Sequence, residues 1–266
     1  SDGAYVETAK HLVDLRTKGL IGEVAACNFD ATHLETLLDA GIPLVANQVQ
    51  YSLLDRRPEN GVIALATKRG LQLTCFGTAA GGWLSDKYLG APEPTRSDIS
   101  KGTVSLRMYK SSLDAWGPWS LFQELLKTLR AVGDELDASI SAVAVAWVLD
   151  ALDRSCGGSV ILGVRDASHL DDHVRARDLA LDDMHRAAIR AVLDKGAAPR
   201  ANPAVAARAP SVAQNAASGV VSTMVLNDCS DESCVHFVSA DKHLTLTLCG
   251  TLESTAFIKT LIRFVA

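Results

Sequence analysis

Short apolar runs that alternate with helical stretches constrain the fold of this chain more than any other feature. The apolar runs lie within residues 21–29, 44–49, 71–77 and 160–164, and each is short enough to be a buried strand. Strands that are apolar along nearly their whole length are typical of a parallel sheet that is covered by helices. The pattern therefore predicts an α/β protein built on a parallel sheet.

Helical periodicity and end signals predict the helices between these strands. One helix begins at Asp30 or Thr32, since either side chain is a good cap, and ends before Gly41. Residues 78–117 carry Gly, Pro and aromatic side chains without a clear period, so they are predicted to form a long loop. The other predicted helices cover residues 6–18, 58–68, 119–136, 140–152, 169–179 and 182–193.

Composition narrows the classes of partner. The 26 basic and 31 acidic side chains give a formal net charge of −5, and nucleic-acid-binding proteins are typically basic, so no nucleic acid is expected. No apolar run approaches the length of about 20 residues that spans a bilayer, so no membrane is expected either. The six cysteines are scattered, which favours free thiols in a reducing compartment and hence a cytoplasmic location.

A change in composition divides the chain into three parts. Residues 197–219 contain ten Ala and three Pro without apolar periodicity, which is typical of a linker. The predicted α/β domain is therefore residues 1–196, and residues 220–266 form a tail to which no role is assigned. Short strands are predicted in the tail at 220–226, 235–238 and 244–248, and a helix at 256–264.

The tail also contains two cysteines whose spacing bears on metal binding. Cys229 and Cys234 have four residues between them. Zinc-binding pairs usually have two residues between their cysteines, so no metal site is predicted here.

Polar and small residues follow the predicted strands, where parallel α/β folds place their functional groups. Cys27 and Asn28 lie at the end of the first strand, and Asn47 and Gln48 lie at the end of the second. Residues 76–82 and 163–165 lie at the ends of the third and fourth. Two interpretations are open at this point. The residues form a ligand site at one edge of the sheet, or they are ordinary turn residues where strands end.

Five segments of the chain resemble the aldo-keto reductase family, in the family's order and spacing, and together they cover about residues 5–195. The family folds as a (β/α)8 TIM barrel and binds NADPH without a Rossmann fingerprint. The resemblance therefore implies that fold and that cofactor. The segments are GLIGEVAACNF at 19–29, NQVQYSLLDRR at 47–57, FGTAAGGWLSDKY at 76–88, VAVAWV at 143–148, and VILGVR at 160–165 followed by HLDDH at 169–173.

The resemblance implies a nicotinamide site at the ends of the first three strands. Asn28 and Gln48 would hold the carboxamide, together with Cys27, which stands where Ser or Thr is usual. Phe76 would stack on the nicotinamide ring, in a position where Tyr or Trp is common.

The resemblance also implies contacts to the rest of NADPH. Asp172 and His173 depart from the family's usual Glu and Asn, but both remain polar. The implied contacts are Gly77, Ala79, Gly81, Lys87 and Arg96 for the pyrophosphate, Gly163 and Arg165 at the end of the fourth strand with Arg165 on the 2′-phosphate, and His169, Asp172 and His173 on one helix face for the adenosine.

The matched segments correspond to only part of the family's barrel. They resemble strands five to eight, whereas the family's catalytic Tyr, Lys, Asp and His belong to the first four strands. None of Tyr5, Tyr51, Tyr88 and Tyr109 lies in that catalytic motif. We therefore expect an incomplete (β/α)8 barrel without catalytic residues, a fragment of a longer NADPH-dependent reductase that is inactive alone. The first residue, Ser1 rather than Met, fits this expectation.

An incomplete barrel has two open strand edges and an uncovered apolar interior, so self-association through these edges is an expectation. The parent enzyme would reduce an aldehyde or ketone, or run the reverse reaction. The alternative is a non-catalytic dinucleotide-binding or interaction module. Trp116 and Trp119 either line a substrate pocket or pack the neighbouring helices.

Overall fold

A computed structural model describes residues 4–163, 168–197, 234–238 and 244–249 of the chain. In these residues, helices and strands alternate as the apolar pattern predicts. The helices are α1 (Ala4–Thr17), α2 (Ala31–Asp39), α3 (Val62–Arg69), α4 (Arg96–Ser100), α5 (Val104–Trp116), α6 (Trp119–Leu136), α7 (Ile140–Asp153), α8 (Ser168–Asp178) and α9 (Asp183–Leu193), and the strands are β1 (Val24–Cys27), β2 (Leu44–Gln50), β3 (Gln72–Phe76), β4 (Gly158–Gly163), β5 (Cys234–Val238) and β6 (Leu244–Cys249).

The strands form one sheet in the order β1-β2-β3-β4-β6-β5. Neighbours from β1 to β4 are parallel, which confirms the predicted α/β class. Registers align Cys27 with Gln48, Gln50 with Phe76, and Phe76 with Ile161. The carboxyl ends of β1 to β4 therefore lie along one edge of the sheet.

Alternate residues of these strands point to two different faces. The first, which we call the covered face, lies beneath the helices and is almost fully buried. Its apolar residues are Val24, Ala26, Val49, Leu73, Cys75, Val160 and Leu162. The second, which we call the mixed face, is partly exposed except at Gln48. Its residues include Cys27, Gln48, Gln50, Gln72, Thr74, Phe76, Ser159 and Ile161.

The mixed face corrects the expectation of an apolar interior. Gln48, Thr74 and Ser159 lie in register on three neighbouring strands of this face, so polar groups run across it beside Phe76 and Ile161. A polar face does not require an apolar cover in the way that the expected interior would.

The tail corrects the expectation of two open edges. β6 pairs in parallel with β4 and β5 pairs antiparallel with β6, so the outer edge of β4 is occupied. Within the described ranges, β1 pairs only with β2. Two of the predicted tail strands are confirmed by β5 and β6. The predicted strand at 220–226, the helix at 256–264, Cys229 and most of the predicted linker lie outside the described residues.

Local signals placed most helix ends correctly. Asp30, not Thr32, caps α2, and its carboxylate accepts a hydrogen bond from the amide of His33 at 2.9 Å. The predicted helix at 58–68 is divided into a short 3-10 turn, Arg57–Glu59, and α3. Gly61 separates the two because its φ of 91° does not continue a helix.

The predicted loop at 78–117 was wrong over much of its length, since it contains α4 and α5. Thr103 caps α5 by accepting a hydrogen bond from the amide of Leu106. Tyr109, Leu113 and Trp116 lie on one face of α5 and are buried. Their spacing of four and three residues is the helical signal that was missed, because glycines and prolines surround it.

Candidate functional site

The carboxyl ends of β1, β2 and β3 bring the predicted nicotinamide residues together. The amide of Asn28 donates a hydrogen bond to the carbonyl of Gln48 at 2.7 Å. The amide of Tyr51, just after β2, donates to the carbonyl of Phe76 at 3.1 Å. Asn28, Gln48 and Phe76 therefore lie at one edge of the sheet, as the sequence predicted, although these contacts do not test their roles.

Asn28 has an unusual backbone conformation. Its φ is 60°, in the left-handed region that residues other than Gly rarely adopt. Asn adopts this region more readily than most other residues. It lines a partly open cavity of about 150 Å³ between the β1–α2 and β2–α3 connections. Asp30, Gln50, Arg57 and Thr32 add polar groups to the wall. Backbone strain at a cavity is a common property of binding sites.

Gln48 is buried with part of its hydrogen-bonding capacity unused. The residue is 4% exposed, and its Oε1 has no hydrogen-bond partner in the described part of the chain. The buried hydroxyl of Thr78 and the Oδ1 of Asn47 also have no hydrogen-bond partner in the described residues. A buried acceptor without a partner costs about 1–3 kcal/mol, so a ligand that donates a hydrogen bond to it is favoured.

Asn47 has a structural task despite its place in the strand-end motif. It lies on the covered face, in register with Ala26 and Leu73, and it is fully buried. Its Nδ2 donates a hydrogen bond to the carbonyl of Phe29 at 3.0 Å, which ties β2 to the β1–α2 connection.

Cys27 lies on the mixed face beside Gln48, where Ser or Thr is usual in the family. Burial raises the pKa of the Cys27 thiol, so the thiol stays neutral at physiological pH. A neutral thiol is a weaker hydrogen-bonding group than a hydroxyl. Any contact of Cys27 with a carboxamide is therefore weaker than that of Asn28 or Gln48.

The glycine loop that follows β3 is packed against α5. Gly77 and Gly81 both have positive φ, and a Cβ at either position would lie 2.6 Å and 2.5 Å, respectively, from atoms of Tyr109. Ala79 lies between them at the start of a 3-10 turn, Ala80–Gly82. The glycines were predicted to allow the close approach of a pyrophosphate, and the group that approaches them in the structure is the Tyr109 side chain.

The two basic residues predicted for the pyrophosphate are both exposed. Lys87 lies in a 3-10 turn, Asp86–Tyr88, with its ammonium 5.2 Å from the centre of the Tyr88 ring. Arg96 is the first residue of α4. The described contacts of these two residues do not connect either one to Gly77 or Gly81.

The predicted adenosine residues are only partly described. His173 Nε2 lies 3.3 Å from the carbonyl oxygen of Gly163, so α8 is joined to the end of β4. The carboxylate of Asp172 accepts a hydrogen bond from the hydroxyl of Ser139, the cap of α7, at 2.9 Å. This bond gives Asp172 a structural role. Arg165 and the side chain of His169 lie outside the described residues.

The sequence did not single out a partly buried ion pair near these strand ends. Asp55 is 7% exposed, and the Nε of Arg57 donates a hydrogen bond to its Oδ1 at 2.8 Å. Burial, together with the charge of Asp55, raises the pKa of Tyr109 to about 12. Asp55 and Arg57 both belong to the second family-like segment, residues 47–57. That segment was the sequence feature that could have pointed to this ion pair.

Trp116 and Trp119, which the sequence assigned either to a substrate pocket or to helix packing, both pack against neighbouring helices. Trp116 is 3% exposed within the main core, and its carbonyl accepts a hydrogen bond from the amide of Ala197 at 2.7 Å. Trp119 packs edge-on against Trp83 and Tyr88, and its Nε1 donates to the carbonyl of Ala91. Neither one lines the cavity at Asn28.

Two other kinds of feature, a metal site and a membrane-spanning helix, are absent from the described ranges. In those residues, no three His, Cys, Asp or Glu side chains come together in a way that would hold a metal ion. No helix there combines the length and the apolar character needed to cross a membrane.

Comparison with known proteins gives a family match. The model of the aldo/keto reductase family matches residues 2–194. A solved glycerol dehydrogenase from Gluconobacter oxydans has the same fold over 77% of this chain and 57% of its own, with a TM-score of 0.58 and 19% identity. The α/β fold of this chain is therefore similar to that of an aldo-keto reductase barrel.

Curated relatives match part of the chain. The flagellar radial spoke protein 5 of Chlamydomonas reinhardtii is 33% identical over 131 residues, which are 48% of this chain and 24% of the relative. The NADH-specific methylglyoxal reductase of Escherichia coli is 24% identical over 183 residues, which are 66% of this chain and 50% of the relative. The chain thus spans half or less of the length of these relatives.

Proposed function

Since the chain belongs to the aldo/keto reductase family, we propose that it binds a nicotinamide dinucleotide, NADPH, and supplies the cofactor side of a carbonyl reductase. The observation that carries this proposal is the buried, unpartnered Oε1 of Gln48 at the sheet edge. The carboxamide of nicotinamide has two N–H donors, so it supplies the group that Gln48 lacks. Asn28, at the next strand end, adds a second amide to the same site.

The residues of the proposed site would orient the nicotinamide. Gln48 and Asn28 would hold the carboxamide, and Phe76 would cover one face of the ring so that only the other face is reactive. The dinucleotide, when bound, supplies a hydride to the carbonyl carbon of an aldehyde or ketone. Small residues at Gly77, Ala79 and Gly81, with Lys87 and Arg96, would hold the pyrophosphate.

The adenosine end of the proposed site rests on the family resemblance. Gly163, Arg165, His169 and His173 would bind it, with Arg165 on the 2′-phosphate that distinguishes NADPH from NADH. Because the Escherichia coli relative is named as NADH-specific, this preference needs its own test. Arg165→Ala is expected to abolish a preference for NADPH over NADH and to leave NADH binding unchanged.

We also propose that this chain does not supply the proton for the carbonyl oxygen. Tyr51 donates its hydroxyl to Glu59 at 3.1 Å, and burial raises the pKa of both Tyr51 and Tyr109. These two phenols are therefore weaker acids than a free tyrosine. The chain is expected to bind NADPH without reducing a generic aldehyde. Measurable turnover would overturn this part of the proposal.

Titration of the full chain with NADPH, followed by protein fluorescence, tests the site. Gln48→Leu is expected to weaken binding about tenfold, which is the effect of losing about 1.4 kcal/mol. Gln72→Leu is the matched control because Gln72 lies on the same face of the sheet, two residues before Thr74, at the opposite end of β3. Equal affinities for the two variants, or no binding by the wild-type chain, would contradict the proposal.

A second candidate function is a non-catalytic interaction module. It is favoured by the similarity to a protein named as a flagellar radial spoke component. Val104 and Met108 on α5 are 70% and 51% exposed and four residues apart, so they form a small apolar patch. Self-association or partner binding without NADPH binding, seen by sedimentation at increasing concentration, would favour this candidate.

The proposed compartment is reducing and cytoplasmic. Cys27, Cys75 and Cys156 are free cysteines in the structure. Mass spectrometry of the protein isolated with its thiols alkylated would test this, since a disulfide at any of the three contradicts it.

A further inference from the structure

Helix α5 crosses the carboxyl ends of β2 and β3 and is attached there at three places. Trp83 Nε1, just after the glycine loop, donates a hydrogen bond to the carbonyl of Leu106 at 2.8 Å. Gln50 Nε2, at the end of β2, donates to the hydroxyl of Ser112 at 3.3 Å. The Tyr109 side chain lies between these two contacts, against the loop itself.

The contact between Tyr109 and the loop depends on the two glycines. A Cβ at Gly77 would lie 2.6 Å from both Cε1 and the hydroxyl oxygen of Tyr109, and a Cβ at Gly81 would lie 2.5 Å from Cδ2. Real Cβ atoms essentially never approach other atoms within 3.0 Å. The backbone of residues 77–81 therefore curves around one aromatic ring, which is 7% exposed.

We infer that Tyr109 is a positioning residue for the nucleotide site, because its ring holds the glycine loop in the curved form that presents backbone N–H groups to a pyrophosphate. This inference rests on the proposed function, in which that loop binds the pyrophosphate of NADPH. Consecutive N–H groups in a curved loop with positive φ form anion-binding concavities. The amides of Ala80 and Gly82 donate to the carbonyls of Gly77 and Ala79 inside the loop, so the amides of Thr78, Ala79 and Gly81 are the groups proposed to bind the pyrophosphate. Removing the ring leaves a void beside two glycines, the residue type with the greatest backbone freedom.

The first test compares variants of the full chain in the NADPH titration. Tyr109→Leu is expected to weaken binding about tenfold, whereas Tyr109→Phe, which keeps the ring, is expected to restore wild-type affinity. Phe122→Leu is the matched control because it removes a buried ring from α6 instead of α5. Phe122→Leu is expected to lower thermal stability to a similar extent as Tyr109→Leu. Unlike Tyr109→Leu, it is expected to leave the affinity for NADPH unchanged.

The second test disturbs the same contact from the side of the loop, so it does not depend on the folding of Tyr109→Leu. Gly77→Ala and Gly70→Ala impose nearly the same backbone strain, since their φ values are 71° and 68°. Only Gly77 has Tyr109 in the place of the added Cβ, because nothing lies within 4 Å of one at Gly70. Gly77→Ala is expected to weaken NADPH binding at least tenfold more than Gly70→Ala.

The outcomes separate this inference from the proposed function. If the wild-type chain binds no NADPH, the proposed function is overturned and the role of Tyr109 falls with it. If the wild-type chain binds NADPH but Tyr109→Leu binds equally well, only the role of Tyr109 is overturned. If Gly77→Ala binds no more weakly than Gly70→Ala, the placement of the pyrophosphate on this loop is overturned together with the role of Tyr109.

Discussion

Leu73 and Thr74 are neighbours in β3, yet they belong to two faces of the sheet that differ in almost every respect. Leu73 is fully buried beneath helices with Cys75, Val160 and other apolar side chains. Thr74 lies in register with Gln48 and Ser159 on the mixed face, where most residues are partly exposed. The covered face provides most of the apolar contacts that stabilise the domain. The mixed face carries polar groups that are not needed to form the sheet.

The strand ends show the same difference. Asn47 is on the covered face and uses its amide to tie β2 to a neighbouring connection. Gln48, the next residue, is on the mixed face and has an acceptor without a partner. The Oδ1 of Asn47 also lacks a partner, so each face has a buried acceptor that lowers stability. The acceptor of Gln48 is the one that lies on the mixed face with Cys27 and Phe76, which favours a binding role there.

The largest expected effect is on the covered face. Leu73→Ala is expected to lower the free energy of unfolding by about 3 kcal/mol, because it removes buried contacts and leaves a cavity. Thr74→Ala, one residue away, is expected to change it by less than about 1 kcal/mol. Urea denaturation measures both. Similar losses for the two variants would break the distinction between the faces.

The second effect concerns Tyr109, at the end of the mixed face. Burial, together with the charge of Asp55, raises its pKa to about 12, whereas the unfolded chain has the ordinary value of 10.0. Above pH 10 the unfolded state loses the proton first, so the stabilisation present below pH 10 is lost as the pH rises towards 12. The loss is expected to be on the order of 2 kcal/mol.

The measurement is urea denaturation between pH 9 and 12. Tyr109→Phe is the control because it cannot ionise at this position and should show a smaller loss than the wild type over the same range. Parallel pH curves for the two proteins would show that Tyr109 is not buried as described.

A smaller effect of opposite sign is expected at Gln48. Gln48→Leu is expected to raise the free energy of unfolding by about 1 kcal/mol, because it removes a buried acceptor without a partner. Gln72→Leu, at an exposed position of the same face, is expected to change it by no more than about 0.5 kcal/mol. Thermal denaturation of both variants gives the comparison. A clear loss of stability in Gln48→Leu would mean that its amide has a structural partner.

The smallest effect is expected at Asn28. Its φ of 60° is strained for a residue with a side chain, so Asn28→Gly is expected to leave stability unchanged or to raise it by a few tenths of a kcal/mol. The same substitution removes an amide from the proposed carboxamide site and is expected to weaken NADPH binding. Chemical denaturation and the NADPH titration, done on the same protein, check both parts. If Asn28→Gly lowers stability and leaves NADPH binding intact, Asn28 has a structural role and does not belong to the carboxamide site.

Most of the fold could be predicted from local signals. The apolar runs located β1 to β4, and Gly41 and Gly70 marked the ends of two helices. Helix α5 could not be placed with the same ease, because its buried residues, Tyr109, Leu113 and Trp116, lie within a stretch rich in glycine and proline. Helical periodicity is only informative where breakers do not interrupt it.

The candidate site was predicted in part. Family-like motifs located Asn28, Gln48 and Phe76, and the structure brings these residues to one edge of the sheet. The motifs did not reveal that Asp172 is bonded to Ser139, or that Tyr109 occupies the space beside Gly77. A motif records which residues occur together and does not show which neighbour satisfies each side chain.

The sequence by itself determined the alternation of strands and helices, the residues at the strand ends and the resemblance to a reductase family. These follow from burial, backbone propensity and short-range spacing, which act within a few residues of one another. Only the tertiary structure decided that β6 of the tail lies beside β4, and that a ring 32 residues away fills the space beside Gly77. Contacts of this kind depend on how distant elements pack, and a glycine is compatible equally with a turn, a ligand or a neighbouring side chain.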